Sequence, residues 1–383
     1  MSAFDPKQMG WMAPAPGIRV PKLWKRSSNH EPKEPSAMHI TTIGLDLAKS
    51  VFQVHGINSA NEVVVKKTLR RVQMRKFFEQ LDPCLVGIEA CGTSHYWARE
   101  ITKLGHQVRL MPPGYVKPYV KRGKTDASDA EAICEAVTRP TMRYVAIKSP
   151  EQQAALALHR TRDLFVKQRT QLVNMIRGLL AEFGIEIRRG LNQALMLAER
   201  IAANEVPDIP PLAAKVISGL AGQVLDLQTR LGEIELELLA WLRSNDIAKR
   251  LATIPGVGTV CATALAASVT DPHQFRSGRQ FAAWLGLTPL QHSSGGKERL
   301  GRISKMGDKY LRRLLVVGMT SLIRRAKYKP EAVDPWLADL LSRKPARLVT
   351  VALANKAARV VWAIMVRGGF YHMPAEVRVT TSV

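Results

Sequence analysis

The sequence predicts an α/β domain followed by a mainly helical region. Three short β-branched runs lie between residues 40 and 68, helix-like and strand-like segments then alternate to residue 138, and a seven-residue hydrophobic period follows. A chain of 383 residues is long enough for two or three domains. The expected divisions are a flexible, proline-containing extension over 1–38, an α/β domain over 39–148, a coiled-coil region over 149–246, a third domain over 247–375 and a tail over 376–383.

Five strands and three helices are predicted within the α/β domain. Runs rich in Val, Ile and Thr between turn signals indicate strands, and amphipathic runs indicate helices. The predicted strands span residues 40–46, 51–57, 63–68, 85–89 and 107–111. The predicted helices span residues 73–80, 94–104 and 126–138. Three adjacent strands followed by alternating helix and strand predict one mixed sheet flanked by helices.

A seven-residue hydrophobic period marks the middle of the chain. The first series consists of Leu158, Phe165, Leu172 and Leu179, with Ile176 and Phe183 in the neighbouring stripe. The second series, after three prolines, consists of Leu220, Leu227, Ile234 and Trp241, interleaved with Val224, Leu231 and Leu238. Such spacing predicts long helices packed as a coiled coil. It is compatible both with a helical hairpin inside one chain and with association between subunits.

The third domain is predicted to be helical with glycine turns. Its segment 251–259, LATIPGVGT, precedes an alanine-rich helix and resembles a helix-hairpin-helix. In that device Gly256 and Gly258 would let backbone N–H groups approach a phosphate at a helix N-terminus. A plain glycine turn between packed helices is the alternative interpretation.

The charge balance predicts a polyanionic partner. Lysine and arginine number 56 against 32 aspartate and glutamate, a net charge of +24. Such a field attracts phosphate backbones, because bound cations release counterions. The sequence has no long apolar run, so we expect no membrane partner. The four scattered cysteines include no Cys-x-x-Cys pair, so we expect neither a zinc site nor a disulfide scaffold but a reduced cytoplasm.

Four acidic residues form a candidate metal site. Asp46 and Glu89 each follow an apolar strand-like run, and Asp126 and Asp129 lie three apart on one face of a predicted helix. Convergent carboxylates repel one another unless a cation neutralises them, and hard oxygen ligands favour Mg²⁺ or Mn²⁺, which assist phosphodiester chemistry. Each residue alone is also typical of a turn or a helix cap, with Thr125 as the cap of the last helix. Their order resembles the RuvC-like branch of the RNase H fold.

Two serines precede the most basic segment of the chain. Ser293 and Ser294 stand beside two glycines, and residues 297–329 contain eleven Lys and Arg against two acidic residues. A serine hydroxyl can attack phosphorus when a nearby cation or base activates it, although an isolated Ser-Ser-Gly-Gly is usually a loop. The cations expected to hold phosphates are Lys297, Arg299, Arg302, Lys305, Arg312 and Arg313.

Five co-linear motifs make the resemblance to a family specific. They are IGLDLAKSVFQVHG at 43–56, GIEACG at 87–92, KTDASDA at 124–130, IPGVG at 254–258 and HSSGGKERLGRISK at 292–305. Together they resemble the DEDD transposases of the IS110 family, from about residue 40 to about residue 370. These recombinases move bacterial insertion sequences under the direction of a bridge RNA.

The resemblance implies a role for each candidate residue. Asp46, Glu89, Asp126 and Asp129 would be the metal-binding residues of a RuvC-like domain, and Ser294, with Ser293 as the second candidate, the nucleophile in a C-terminal transposase domain. It further implies double-stranded DNA of element and target, a guide RNA and a homo-oligomer, dimer or tetramer, as partners. The extension 1–38 has no counterpart that the resemblance identifies.

Two other functions fit part of these observations. A Holliday-junction resolvase or simple nuclease would use the same carboxylates with water as the nucleophile. A non-catalytic nucleic-acid-binding protein would use only the hairpin and the basic surface. The ordered carboxylates argue against plain binding, and the serine distinguishes a recombinase from a resolvase.

Overall fold

A computed structural model describes residues 39–121, 125–188, 190–203, 205, 209–328 and 334–372, and the expected extension 1–38 and tail 376–383 lie outside these residues. Its N-terminal part is a five-stranded mixed sheet in the order β3-β2-β1-β4-β5. The strands are β1 Thr42–Leu47, β2 Val51–Ile57, β3 Val63–Arg70, β4 Leu85–Glu89 and β5 Gln107–Met111. β1 and β3 pair antiparallel with β2, whereas β4 is parallel to both β1 and β5. The predicted mixed sheet is confirmed.

Helices cover both faces of this sheet. They are α1 Met74–Glu79, α2 Ser94–Lys103, α3 Pro113–Val116 and α4 Asp126–Val137. Ile43, Leu45 and Ile88 point to the face that packs on α1 and α2, and all three are fully buried. The intervening residues of β1 and β4 point to the other face, where α4 packs. This layered arrangement is RNase H-like, as the carboxylate order predicted.

The middle of the chain is a helical hairpin. Its helices are α5 Pro150–Ala181, α6 Leu191–Ala202 and α7 Pro211–Ser244, and α5 packs along α7 within the same chain. On α7 the prediction is confirmed for Val224, Leu227, Leu231, Ile234 and Leu238, which are all buried. The heptad pattern is therefore satisfied by pairing inside one chain.

The predicted stripe on α5 is confirmed in part, because Ile176 is buried and Leu172 and Leu179 pack against the core of the hairpin, but the most buried row is offset from it by one residue. Ala155, His159, Val173, Ile176 and Leu180 are buried, whereas the predicted series at 158, 165, 172 and 179 is only half-buried and Phe183 lies exposed beyond the helix. The inward-facing row runs at intervals of four and three through two arginines that apolar spacing alone could not reveal.

Those arginines form polar layers inside the hairpin. Arg162 of α5 donates two hydrogen bonds to Glu235 of α7, at 3.0 and 2.7 Å from Glu235 Oε1. One heptad further along, Arg169 Nη1 donates one hydrogen bond to Gln228 Oε1 of α7. His159, the next inward position before Arg162, lies 3.0 Å through Nδ1 from the Tyr310 hydroxyl. The seam therefore alternates apolar packing with cross-helix hydrogen bonds.

The C-terminal part is mainly helical around one large apolar core. Its helices are α8 Asp246–Ala252, α9 Thr259–Ser268, α10 Gly278–Trp284, α11 Lys309–Tyr328, α12 Pro335–Arg343 and α13 Ala346–Arg367. A short antiparallel hairpin, β6 Pro289–Gln291 and β7 Leu300–Ile303, interrupts the helices. The segment around Ser293 and Ser294 is thus the end of a β-hairpin, which the sequence did not predict.

Helix α13 is the one described helix that is long and apolar enough to cross a membrane. Its buried side chains, among them Val349, Leu353 and Val361, instead belong to the C-terminal core together with residues of α9 and α11. The helix therefore has the packing of a core helix in a folded domain.

Candidate metal centre and nucleic-acid interface

Two paired glycines bring α4 onto the sheet. Gly44 of β1 pairs with Gly87 of β4. A Cβ on Gly44 would lie 2.1 Å from the carbonyl oxygen of Ala130, and one on Gly87 would lie 2.7 Å from Cβ of Val137. No side chain fits between the strands and the helix, so α4 lies directly on the backbone of β1 and β4.

The same glycines determine where the acidic residues point. Asp46 and Glu89 each stand two residues after one of them, and side chains two apart on a strand share a face. Both carboxylates therefore point towards α4. Because Leu45 pairs with Ile88, the next residues along each strand, Asp46 and Glu89, lie beside each other. A glycine two residues before an acid, repeated on both strands, is a sequence signal for this arrangement.

Helix α4 presents two further carboxylates at its first turn. Thr125 caps the helix by accepting a hydrogen bond from the Ser128 N–H, as the sequence predicted. Asp126 and Asp129 follow, and one carboxylate oxygen from each lies within 4.8 Å of the others and of one from Asp46. The helix N-terminus adds favourable partial positive charge for these acids. The fold thus brings together residues that are 80 positions apart in the chain.

The cluster is electrostatically strained. Burial, followed by repulsion from Asp129, Asp126 and Glu89, raises the pKa of Asp46 to about 6. Burial and then the charge of Asp129 also raise the pKa of Glu89. Because each carboxylate disfavours ionisation of its neighbours, a cation at their centre would relieve the repulsion.

The donor set fits a hard divalent cation. All four residues offer carboxylate oxygens, Asp46 and Asp129 are half-buried, and Asp126 is exposed, which leaves one side open to solvent and substrate. Oxygen-only ligation favours Mg²⁺ or Mn²⁺ over zinc or copper. The cluster is therefore consistent with a metal site, with Asp46, Asp126 and Asp129 nearest one another.

The serines lie on a separate structure. In the β6–β7 hairpin, the backbone N–H of Lys297 donates to the Ser294 carbonyl at 3.1 Å, and the N–H of Arg299 donates to Ser293 Oγ at 3.2 Å. Ser293 therefore helps close the hairpin, whereas no hydrogen bond of the Ser294 hydroxyl is found among the described residues. Both serines are exposed. Neither β6 nor β7 packs extensively against any strand of the N-terminal sheet.

The predicted phosphate-binding cations fall into two groups. Lys297, Arg299, Arg302 and Lys305 are exposed on or beside the hairpin, and among the described residues none of them forms an ion pair. Arg312, in contrast, donates from Nη1 to the carbonyls of Leu285 and Met306 at 2.9 and 3.0 Å. Arg313 bonds Asp163 of α5 and stacks on the Tyr310 ring at 5.3 Å. These last two residues already stabilise the fold.

The two glycines of the 254–258 turn also differ. Gly256 has a positive φ of 81°, and its backbone lies against α11, where a Cβ on Gly318 would come within 1.9 Å of the Gly256 carbonyl oxygen. At Gly256 the segment is thus a plain glycine turn packed against a neighbouring helix. Gly258 is exposed at the start of α9, and an added Cβ would meet nothing within 4 Å. Its side of the turn is open to a ligand.

One polar cluster was not predicted at all. His95, in the first turn of α2, faces Lys148, which precedes α5. The two residues are 53 positions apart and belong to no motif, so only the folded chain reveals their contact.

Comparisons with known proteins agree with this architecture. Residues 43–185 match a family model for the DEDD transposase of IS110 elements, described as "Transposase". Residues 248–334 match a second model, described as "Transposase IS116/IS110/IS902 family". The first match spans the sheet and α5, and the second spans α8 to α11, including the β6–β7 hairpin.

Curated relatives match over almost their whole length. A "Probable family 20 transposase" of Pseudomonas aeruginosa is 51% identical, covering 87% of this chain and 99% of the relative. The transposase for insertion sequence element IS1328 of Yersinia enterocolitica is 40% identical, covering 86% and 98%. The transposase for IS1111A of Coxiella burnetii is 39% identical, covering 91% and 96%.

The five motifs, the acidic cluster beside an RNase H-like sheet and these full-length similarities lead to one conclusion. The chain belongs to the IS110 family of transposases, DNA-processing enzymes with a DEDD N-terminal domain and a Transposase_20 C-terminal domain.

Proposed function

We propose that this transposase cuts and rejoins DNA by attack of Ser294 on a phosphodiester, with a divalent cation held by Asp46, Glu89, Asp126 and Asp129. The observation that carries the proposal is the convergence of three carboxylate oxygens within 4.8 Å at the edge of the sheet. Mg²⁺ is the expected ion, with Mn²⁺ as a substitute. When bound, the ion supplies positive charge that stabilises a developing phosphoryl oxyanion and leaving oxygen.

The serine step is a transesterification. A bond forms between Ser294 Oγ and phosphorus while the bond from phosphorus to one strand-end oxygen breaks. The hydroxyl proton leaves Oγ, and the departing oxygen gains a proton. Ser294 supports this role better than Ser293, because Ser293 Oγ already accepts the Arg299 N–H that closes the hairpin.

The cations position the substrate in this proposal. Lys297, Arg299, Arg302 and Lys305 surround the serines without ion pairs of their own among the described residues, so their charges remain available for DNA phosphates. The exposed Gly258 at the start of α9 offers backbone N–H groups for another phosphate. Gly256 contributes by shaping the turn, and Arg312 and Arg313 by holding α11 in place.

A composite site between subunits follows from the separation of serine and carboxylates. The two strands of the β6–β7 hairpin contact mainly each other and not the N-terminal sheet, so a second subunit is the natural source of the carboxylates for this serine. The a/d row of the α5–α7 hairpin is already filled within the chain. Association would therefore use its outward apolar side chains, such as Leu164, Met175 and Leu236, which are more than half exposed.

We further propose that a bridge RNA directs the reaction and that the protein acts in the bacterial cytoplasm. The support is the family membership, the net charge of +24 and the core packing of α13. The test is strand exchange in vitro with and without RNA transcribed from the non-coding flank of the element. Exchange that is equally fast without RNA would refute the guidance.

The serine mechanism is tested by trapping a denaturation-resistant protein–DNA adduct with Mg²⁺. Ser294→Ala should abolish the adduct, whereas the matched variant Ser293→Ala should retain it. Asp46→Asn should lower its formation more than about 100-fold, beyond the usual cost of losing an outer-shell partner of a metal ligand. If Ser294→Ala still cuts DNA at the wild-type rate, water is the nucleophile and the enzyme works as a resolvase-type nuclease.

A further inference from the structure

The junction between α2 and α5 contains two nitrogen donors that face each other. The backbone N–H of Lys148 donates to Nδ1 of His95 at 3.2 Å. An imidazole whose Nδ1 accepts a hydrogen bond carries its ring proton on Nε2. That nitrogen lies 3.4 Å from the Lys148 ammonium nitrogen, which has only protons to offer when charged. The two groups cannot satisfy each other while Lys148 is charged.

The surroundings add positive charge and little that could accept these protons. Arg99 and Arg160 lie near enough to lower the pKa of His95, after burial and Lys148 have their larger effects, to about 4. Burial and Arg160 lower the pKa of Lys148. The charge of the nearby Asp308 opposes the lowering of the Lys148 pKa. Its carboxylate lies more than 4.0 Å from the ammonium, however, so the two form no ion pair.

The other polar groups here are already engaged. Asp308 Oδ1 accepts the N–H groups of Tyr310 and Leu311 at 2.8 and 3.0 Å and so caps the start of α11. Arg99 donates from Nη1 to the Lys148 carbonyl and to Gln153 Oε1, both at 2.6 Å. Among the described residues, no acceptor is found for the side-chain protons of the Lys148 ammonium, of His95 Nε2 or of the exposed Arg160.

We propose that His95, Lys148 and Arg160 bind a phosphate group of the nucleic-acid backbone. An oxyanion that bridges His95 Nε2 and Lys148 Nζ would accept a hydrogen bond from each, so the two donors would no longer face each other without an acceptor. The position suits such a role, because α2 begins five residues after Glu89 ends β4, at the same edge of the sheet as the carboxylates. The site rests on the proposed function in that its ligand is the nucleic acid on which the enzyme acts.

The primary test is the salt dependence of binding to a 30-base-pair DNA duplex without divalent metal. Each lost phosphate contact lowers the magnitude of the slope of log K against log salt by about 0.9. We expect this change in Lys148→Met and in Arg160→Gln. The Arg160 side chain is exposed and forms no hydrogen bond or ion pair among the described residues. Lys103→Met removes one charge from the same helix as His95, where Lys103 pairs with Glu100 at 2.7 Å, and should leave the slope unchanged.

The second test follows His95 by ¹⁵N NMR in the full-length protein. Free protein should show the proton on Nε2, and the duplex should raise the pKa of His95 by at least about one unit, because a phosphate favours the charged ring. Wild-type slopes in both Lys148→Met and Arg160→Gln, or a His95 signal unaffected by DNA, would overturn the proposal.

These outcomes are separable from those of the main proposal. Asp46→Asn, which lacks a carboxylate of the metal centre, should keep the wild-type slope and the His95 response. If the wild-type enzyme formed no adduct yet Lys148→Met lost a unit of slope, the serine mechanism alone would fail. If the adduct formed but the slopes did not change, the phosphate site alone would fail.

Discussion

The sheet edge holds the acidic residues of the proposed reaction, and the β6–β7 hairpin holds the serine. The first set is packed tightly by the fold, whereas the second is exposed. At the sheet edge, backbone packing at Gly44 and Gly87 brings Asp46, Asp126 and Asp129 together, and burial with the neighbouring carboxylates raises the pKa of Asp46 to about 6. On the hairpin, Ser294 and its neighbouring cations are exposed and bonded mainly to one another's backbone. In the proposed mechanism, the fold therefore assembles the acidic cluster in advance, whereas Ser294 has to be brought to it.

The largest effect should come from breaking the packing under the carboxylates. Gly44→Val would drive a side chain into the backbone of α4, so we expect the free energy of unfolding to fall by more than about 3 kcal/mol, the upper end of the usual overpacking cost. Thermal unfolding followed by circular dichroism measures it. Gly178→Ala on α5, where an added Cβ meets nothing within 4 Å, is the control and should change stability by less than about 1 kcal/mol. Equal losses in both variants would contradict the packing argument.

A smaller effect should follow from the charge of Asp46. Its pKa in the folded protein, about 6, lies above the ordinary value of 3.8, so the folded state holds the proton more tightly. Stability from this group is thus present below pH 4 and lost as pH rises through 6, by up to about 3 kcal/mol without metal. Urea unfolding in EDTA at pH 5 and 7.5 should show about half of this loss, because the rest falls below pH 5, and Mg²⁺ should reverse it. Asp46→Asn should remove both responses, and a Mg²⁺ response that survived would place the ion elsewhere.

The smallest effect on stability should come from the hairpin. Lys297→Ala should change the free energy of unfolding by less than about 0.5 kcal/mol, because the side chain is exposed and unpaired among the described residues. Its loss should instead lower the magnitude of the salt slope for duplex binding by about 0.9. Lys249→Ala, which removes a lysine paired with Asp246, should not change the slope. A stability loss above 1 kcal/mol would mean that the hairpin is part of the folded core.

The sequence predicted the sheet and the acidic cluster because both follow from short-range rules. Strand-like runs with turn signals located all five strands of the sheet, and the Asp-x-x-Asp spacing located the first turn of α4. The convergence of Asp46 with that turn depended on family resemblance, although the glycine two residues before each strand acid is a local sign of it.

What the sequence did not predict depends on long-range pairing. The inward row of α5 includes Arg162 and Arg169, and an apolar pattern omits them because their partners lie about 60 to 70 residues away on α7. The hairpin around Ser294 was missed because its two strands are three and four residues long and wholly or mostly exposed. The contact of His95 with Lys148 likewise joins elements that are distant in the chain.

The polar layers of the α5–α7 hairpin have a mechanical consequence. Apolar layers alone would tolerate a slip of one heptad. A slip in one direction would place Arg162 opposite Gln228 and leave Glu235 without a cation, and a slip in the other would place Arg162 opposite Leu242. Polar pairs that match best in one alignment favour that register of the paired helices. An α-helix of 32 residues is about 48 Å long. The hairpin therefore holds α6, which packs on α7, at a set distance from the C-terminal core.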